Sequence, residues 1–404
     1  VPPIDLTLLG LLLFVASLVA MVTRRLNLPY SVGLVAAGIA LTFLPFDTHI
    51  PLTKELVFTV FLPPLIFEAA IQIPWRPLRR ELPLLAVLVT LGVLLAATVV
   101  AAGMHYLVGW SWLGAAFFGI LVAATDPVSV IALFRSFEVE PRLHLLVEAE
   151  SLLNDGIAAV AFVVLLSVAS TGNAGAGYVA GTLAVTVVGG IAAGALVAGP
   201  LLAIAGRTDD HLVEITFTTL AAWGSFLLAE HFHMSGVLAA LTAGLLVGNF
   251  GSMGSISDGG RRAVLSFWEY VAFLANSLIF ILIGSGGASI SLWPLSAGAI
   301  AVTLALLGRA ATVYPIAALF RGSRLALPAG HQHVLWWGGL RGALALALAL
   351  ALPPTIAERE EIVAVCFVVV AFSIFVQGLT MEPLMRRLGL IVREPVSEGS
   401  TSPH

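Results

Sequence analysis

Charge is what this chain is short of. Only 10% of its 404 residues are Asp, Glu, Lys or Arg, against about 25% in soluble domains, and it carries no basic patch, which excludes nucleic acid as a partner. It has one cysteine, Cys366, inside an apolar run. That rules out a disulfide framework and a thiolate metal site, and leaves a packed apolar thiol. A secretory signal is absent too: the first apolar stretch, 6–22, has no basic residue before it and Arg24-Arg25 after it, the reverse of a signal's polarity, so it is expected to stay as a span. No low-complexity linker or soluble module interrupts the sequence, and the end beyond Arg393 is short, polar and expected to be disordered. What the chain has in excess is apolar surface, 59% hydrophobic residues and a mean hydropathy of +1.03. That composition implies an all-α polytopic membrane protein.

Apolar stretches long enough to cross, roughly 20 residues each with shorter exceptions, number thirteen. They fall near 4–23, 29–45, 54–73, 82–107, 111–135, 143–170, 177–205, 211–231, 235–250, 263–284, 293–320, 330–353 and 361–385. The basic residues check that parsing independently of hydropathy. Of 19 Lys and Arg, all but four sort to one face; Lys54 and Arg359 fall on the other, and Arg309 and Arg341 lie inside spans. The positive-inside rule then places the amino terminus outside the cell membrane and the carboxyl terminus in the cytoplasm.

Two spans are interrupted at their centres, the fifth by Thr125-Asp126-Pro127 and the twelfth by Gly338-Gly339 with Arg341-Gly342. Proline removes a backbone donor and glycine loosens a helix, so both should be broken at bilayer depth. If spans 1–6 and 8–13 are inverted repeats joined by span 7, the two breaks correspond. Matched interruptions in two halves point to a transport site.

The polar residues cluster around those breaks. Asp126, Asp155, Arg309 and Arg341 each lie roughly 18 to 24 Å along their spans, one depth in a slab about 30 Å thick. Glu150, Ser151, Asn154 and Asp155 follow i, i+1, i+4, i+5 spacing and share one helical face. Charges in hydrocarbon cost roughly 2.5 to 3.5 kcal/mol each even on lenient scales, so their retention implies use, here a membrane ion pathway. Oxygen ligands from carboxylate, hydroxyl, carboxamide and freed carbonyls suit a hard monovalent cation, with no resident cofactor expected. Thr125 offers a hydroxyl and an unpaired carbonyl. Burial favours protonated Asp155 whereas a bound cation favours its ionised form, so proton and metal ion compete there. Asp126 can compensate the positive ends of half-helices meeting at the break. Glu150 needs a cationic partner, Arg309 first and Arg341 second.

Plainer roles stand beside these. An isolated Asn or Ser in a membrane bundle more often ties helices together than binds an ion. Glu68 could draw cations into a funnel or cap the interface; Glu214 and Glu269 are expected to snorkel or pair locally. His144, His211, His331 and His333 fall on the cytoplasmic side, where solvation is commoner than pH sensing. Trp75, Trp110, Trp112 and Trp293 fit interface belts.

The motifs Leu62-Pro63-Pro64-Leu65-Ile66-Phe67-Glu68-Ala69, Ala124-Thr125-Asp126-Pro127-Val128 and Glu150-Ser151-Leu152-Leu153-Asn154-Asp155-Gly156 stand in order along the chain. Ser235-Gly236-Val237-Leu238-Ala239, Phe273-Leu274-Ala275-Asn276-Ser277-Leu278-Ile279-Phe280, Gly338-Gly339-Leu340-Arg341-Gly342-Ala343 and Gln377-Gly378-Leu379-Thr380 come after them. With them the chain resembles sodium/proton antiporters of the monovalent cation/proton antiporter superfamily, in the NhaP-type branch that includes the animal and plant exchangers. The resemblance implies a homodimer in lipid in which spans 1–3 (1–73) and 8–10 (211–284) form a static scaffold. Spans 4–6 (82–170) and 11–13 (293–385), carrying crossed broken helices, would move as an elevator core, with span 7 (177–205) as linker and 386–404 as a short cytoplasmic tail. It implies Asn154 and Asp155 as the ion-site pair, Ser151 and Thr125 as further Na+ ligands beside Asp126, and Glu150 paired with Arg309. Asn-Asp rather than two aspartates implies electroneutral exchange of one cation for one proton. The long regulatory tail of larger relatives is not expected here.

Two other functions fit less well. An intramembrane aspartyl protease would need Asp126 and Asp155 to share a proton at about 3 Å, and the Gly-x-Gly-Asp context is missing. A cation channel would need a continuous pore, for which the paired breaks are poorly suited.

Overall fold

The computed structural model describes residues 6–26, 28–43, 53, 55–126, 128–137, 139–206, 210–251, 256–288 and 295–391. Lys54, Pro127, Arg207, Trp293, Arg393 and the rest of the tail lie outside the described residues. All regular structure within them is helical. Helix α1 (Leu6–Leu26) and α2 (Tyr30–Leu41) precede a π-helical turn, Leu56–Phe61, that runs into α3 (Leu62–Gln72). Next, α4 (Trp75–Val89) and α5 (Leu91–Gly103) join into one long run that closes in a second π turn, Met104–Val108. The fifth predicted span is two pieces, α6 (Trp112–Ala123) and α7 (Val128–Ser136). Uninterrupted helices come next: α8 (Pro141–Thr171), α9 (Ala176–Ala205), α10 (His211–His231), α11 (Gly236–Phe250), α12 (Asp258–Ala288) and α13 (Leu295–Leu319). The twelfth predicted span is again divided, into α14 (Ala329–Trp337) and α15 (Ala343–Leu350). Last come α16 (Arg359–Phe372), a π turn Ser373–Gln377 and α17 (Gly378–Arg387).

Eight helical runs among the described residues are long and apolar enough to cross a membrane, which makes this a multi-pass membrane protein. Polar residues mark several starts: Ser111, Asp210 and Ser235 each accept a backbone N–H of the first turn, at 3.1, 2.9 and 3.2 Å, filling donors that a helix end leaves open. The run beginning at Trp75 starts earlier than its hydropathy suggested. Arg76, Arg79 and Arg80 are exposed there while Leu78 is buried, and such an amphipathic lead-in depresses a hydropathy average without breaking the helix.

The helices pack as two sets. In one, α2 lies on α12, α3 on α11, and α9 and α10 close around α11. In the other, α5 lies on α13 and α6, α16 on α13, and α8 on α4 and α6. Backbones in the first set approach so closely that a Cβ at Gly38 would stand 3.0 Å from the Gly284 Cα, the small-residue packing that membrane helices use where no hydrophobic drive exists between them. Thinner contacts join the sets through α7 on α2 and α8 on α3 and α11, while α9 packs on α8 as extensively as α6 does.

Candidate functional site

Two helix ends in the middle of the protein leave backbone carbonyls without intrahelical partners, and the site is built from the groups that fill them. At the first break, α6 stops at Ala123. Its Ala123 carbonyl accepts the Asn154 amide at 3.0 Å, Val122 accepts Nε of Arg341 at 2.7 Å, and Thr125 accepts the Ser151 hydroxyl. The Thr125 hydroxyl donates to Ser151 Oγ at 3.2 Å and accepts from Asn154 at 3.2 Å. At the second break, Gly338 N–H turns back to the Val334 carbonyl at 2.7 Å, and Arg309 holds the Leu335 carbonyl through Nε at 3.1 Å and Nη2 at 3.0 Å. The interruptions touch each other: Asp126 N–H donates to the Leu340 carbonyl at 2.7 Å.

The carboxylates divide into separate roles. Glu150, 3% exposed, receives both Nη1 and Nη2 of Arg309 at 2.7 Å, a bidentate pair of the strong kind. Arg341 is not that partner; its N–H groups go to the Val122 and Gly339 carbonyls. Asp126 accepts Val128 N–H at 2.9 Å, at the start of α7, and meets Ala343 N–H at the start of α15. Both half-helices thus point positive ends at one carboxylate. Asp155 is half-buried and faces both Asp126 and Glu150 electrostatically. Its Oδ1, like Oδ1 of Asn154, is buried without a hydrogen-bond donor among the described residues. Buried acceptors are seldom left empty, so the unfilled Asp155 oxygen marks a place with capacity for a positive charge.

A cavity of about 760 Å³ reaches this place. Its lining includes Thr125, Asp126, Asp155 and Gly342 at depth, and Arg24, Phe137, Glu148 and Glu382 at helix ends carrying the arginine clusters. Among the described residues six carboxylates, Glu68, Asp126, Glu148, Asp155, Glu269 and Glu382, line it against one basic residue, Arg24. A low-dielectric channel wall of one sign focuses field and draws cations inward.

Position 342 must be glycine for this arrangement, because a Cβ there would run into the Asp126 carboxylate. Gly342→Ala is expected to yield folded protein whose cation-dependent proton flux in vesicles falls by on the order of tenfold, since sub-ångström misplacement of site groups is costly. Flux at the wild-type level would show that Asp126 can move without consequence.

The structure brings together every residue picked from sequence: Asp155, Asn154, Ser151, Thr125, Asp126, Glu150, Arg309 and Arg341. Glu68 accepts the Gln72 amide and lines the cavity. Other expectations change. Glu214 neither snorkels nor pairs within its helix; it is 1% exposed and accepts Ser257 N–H at 2.8 Å just ahead of α12. His331 is not solvated but 2% exposed, 3.0 Å from Glu140. The Trp110 indole N–H donates to Glu361 at 2.7 Å. Sequence reasoning missed Glu148 and Glu382 as lining groups, whose only signal was acidity beside arginines, and the capping role of the Gln377 carboxamide, 2% exposed within an apolar span.

Residues 10–387 match the family described as sodium/hydrogen exchanger, transmembrane. The chain belongs to the sodium/hydrogen exchanger family. It is therefore a transporter and not an enzyme, which sets aside the aspartyl protease. Among relatives of this family, it is 37% identical over 394 residues to the Na(+)/H(+) antiporter ApNhaP of Aphanothece halophytica, covering 96% of this chain and 74% of that protein. It is 35% identical to the Na(+)/H(+) antiporter NhaH of Halobacillus aidingensis, covering 94% and 97%. The fold is similar to that of the sodium proton antiporter MjNhaP1 of Methanocaldococcus jannaschii, with a TM-score of 0.77 at 21% identity over 95% of this chain and 98% of that one.

Proposed function

We propose that this exchanger trades one monovalent cation, Na+ with Li+ or K+ as further candidates, for one proton across the cell membrane, and that Asp155 is the group both ions occupy in turn. The observation that carries the reading is the acid-lined cavity that reaches Asp155, whose Oδ1 is buried without a hydrogen-bond donor among the described residues. Ionised, Asp155 offers the cation an oxygen beside the Thr125 and Ser151 hydroxyls; protonated, it is neutral and offers no countercharge. One site that holds one ion or the other, never both, couples their opposite movements. The relatives' names, Na(+)/H(+) antiporters, support the substrate pair.

Thirteen spans in two inverted repeats, amino terminus outside, accommodate the helices and their arginine-rich ends. The carboxamide bonds to Ala123 at the first break and Trp337 at the second support that pairing of halves. The packing into two sets is the division an elevator needs: α5, α6, α8, α13 and α16 as a moving core, α2, α3, α11 and α12 as a scaffold that also forms a homodimer. With no Asp at 154 and Asp126 bound to two helix starts, a single carboxylate changes charge, so transport is electroneutral.

Reconstituted protein is expected to change vesicle pH only when a gradient of Na+ or Li+ is present. With K+ and valinomycin clamping the potential, the rate should not respond to imposed voltage. A voltage-dependent rate contradicts the one-for-one count; pH change without any alkali cation contradicts antiport.

A further inference from the structure

We propose that Gln377 is a positioning residue for the ion site: its carboxamide, presented by the π turn 373–377, fixes the end of the second broken helix as Asn154 fixes the end of the first. The inference rests on the antiporter reading. The last helical residue of α6 is Ala123, and its carbonyl takes the Asn154 amide at 3.0 Å; the last of α14 is Trp337, and its carbonyl takes the Gln377 amide at 2.8 Å. Each carboxamide has a serine about one turn earlier on its own helix, Ser151 and Ser373. The spacing differs, Ser-x-x-Asn in one and Ser-x-x-x-Gln in the other. The π turn absorbs the extra residue and returns hydroxyl and amide to one side, the use to which such local widenings are put at functional sites.

The orientation of the amide is determined. Ser373 Oγ donates to Gln377 Oε1 at 2.8 Å, which leaves the NH2 group for the Trp337 carbonyl. Both side chains are buried, 1% and 2% exposed. Val334 and Leu335, in the same last turn of α14, have donors of their own in Gly338 and Arg309, so removing Gln377 leaves those two in place and takes the side-chain donor from Trp337, an unfavourable change in a dry interior.

Immediately after Trp337 the chain enters the segment that holds the ion site. Leu340 accepts Asp126 N–H at 2.7 Å, and Gly342 and Ala343 stand against the Asp126 carboxylate. Displacing 338–342 shifts Asp126 and Thr125 relative to Asp155 without removing any group that touches the ion. The effect therefore falls on cation affinity. Gly378, next to Gln377 as Asp155 is next to Asn154, lines the cavity but has no carboxylate, so this half positions and does not exchange.

The test uses full-length protein in vesicles. Gln377→Met keeps length and loses both hydrogen bonds; its apparent KM for Na+ is expected to rise about tenfold with a maximal rate within about twofold of wild type. Ser373→Ala frees the amide to turn and is expected to raise KM about threefold; should Gln377→Met not fold, this variant decides. Thr380→Val removes a bond between the same segments, from the half-buried Trp337 indole to the exposed Thr380 hydroxyl at 2.9 Å, and is expected to leave KM unchanged. An unchanged KM in Ser373→Ala, or a rise in Thr380→Val equal to that in Ser373→Ala, overturns the assignment, since either shows plain helix tethering. Wild-type vesicles that exchange no cation for protons overturn the antiporter reading and this one with it; wild-type exchange with no KM change in the variants overturns this one alone.

Discussion

Asp155→Asn is expected to give a folded protein whose exchange equals that of protein-free liposomes. The substitution keeps the shape of the side chain and removes only its ability to carry charge. An amide neither releases nor takes up a proton near neutral pH and offers a cation no countercharge, so both half-cycles stop together. The fold should not suffer. Asparagine matches the aspartate in shape and carries no charge, so no ion is left unpaired in the interior, and the melting temperature in detergent is expected to match or exceed that of wild type. The combination is diagnostic, because a residue needed merely for packing would lose stability along with transport. Exchange at the wild-type rate with asparagine at 155 would remove Asp155 from the mechanism, and Asp126, the other acid at that depth, would become the next candidate.

The broken helices were legible because their cause is local. Pro127 and the Gly338-Gly339 pair were expected to act through the backbone of their own segments, and the structure interrupts the helices at 124–126 and 338–342. The polar face of α8 was legible for the same reason, since spacing alone puts Glu150, Ser151, Asn154 and Asp155 together. Span ends were less so: Trp75–Arg80 is helix by virtue of one buried leucine among arginines, which a hydropathy average hides.

What spacing alone could not supply was the partner of each group; Arg309 as the partner of Glu150 came from the family resemblance, and the structure pairs them. Nothing in the spacing of Arg309 and Arg341 said which would reach Glu150, and the choice turns on where α13 runs against α14. Gln377 was passed over because a lone carboxamide in an apolar span is usually a tether, and its meaning depends on a carbonyl forty residues earlier in the chain. His331 and Glu214 were misjudged alike: each lies near a span end, where solvent is the default, yet each is covered by a neighbouring helix start.

The second large effect is expected on stability. Arg309→Met should destabilise the protein by about 3 to 5 kcal/mol, the cost of leaving a buried carboxylate without its cation. Glu150 is 3% exposed and receives both arms of the guanidinium, so no water replaces what is lost. Arg341 cannot step in, because its own donors hold the Val122 and Gly339 carbonyls at the two breaks, and turning toward Glu150 would open both. Glu150→Gln in the same protein should recover part of the loss but not all, since Arg309 also holds the Leu335 carbonyl through two N–H groups. Denaturant titration in detergent of the two single variants and the double variant gives the coupling directly. A melt of Arg309→Met at the wild-type temperature, or perfectly additive losses, would mean the pair contributes nothing to the fold, and the arginine would then have to be accounted for by the transport cycle alone.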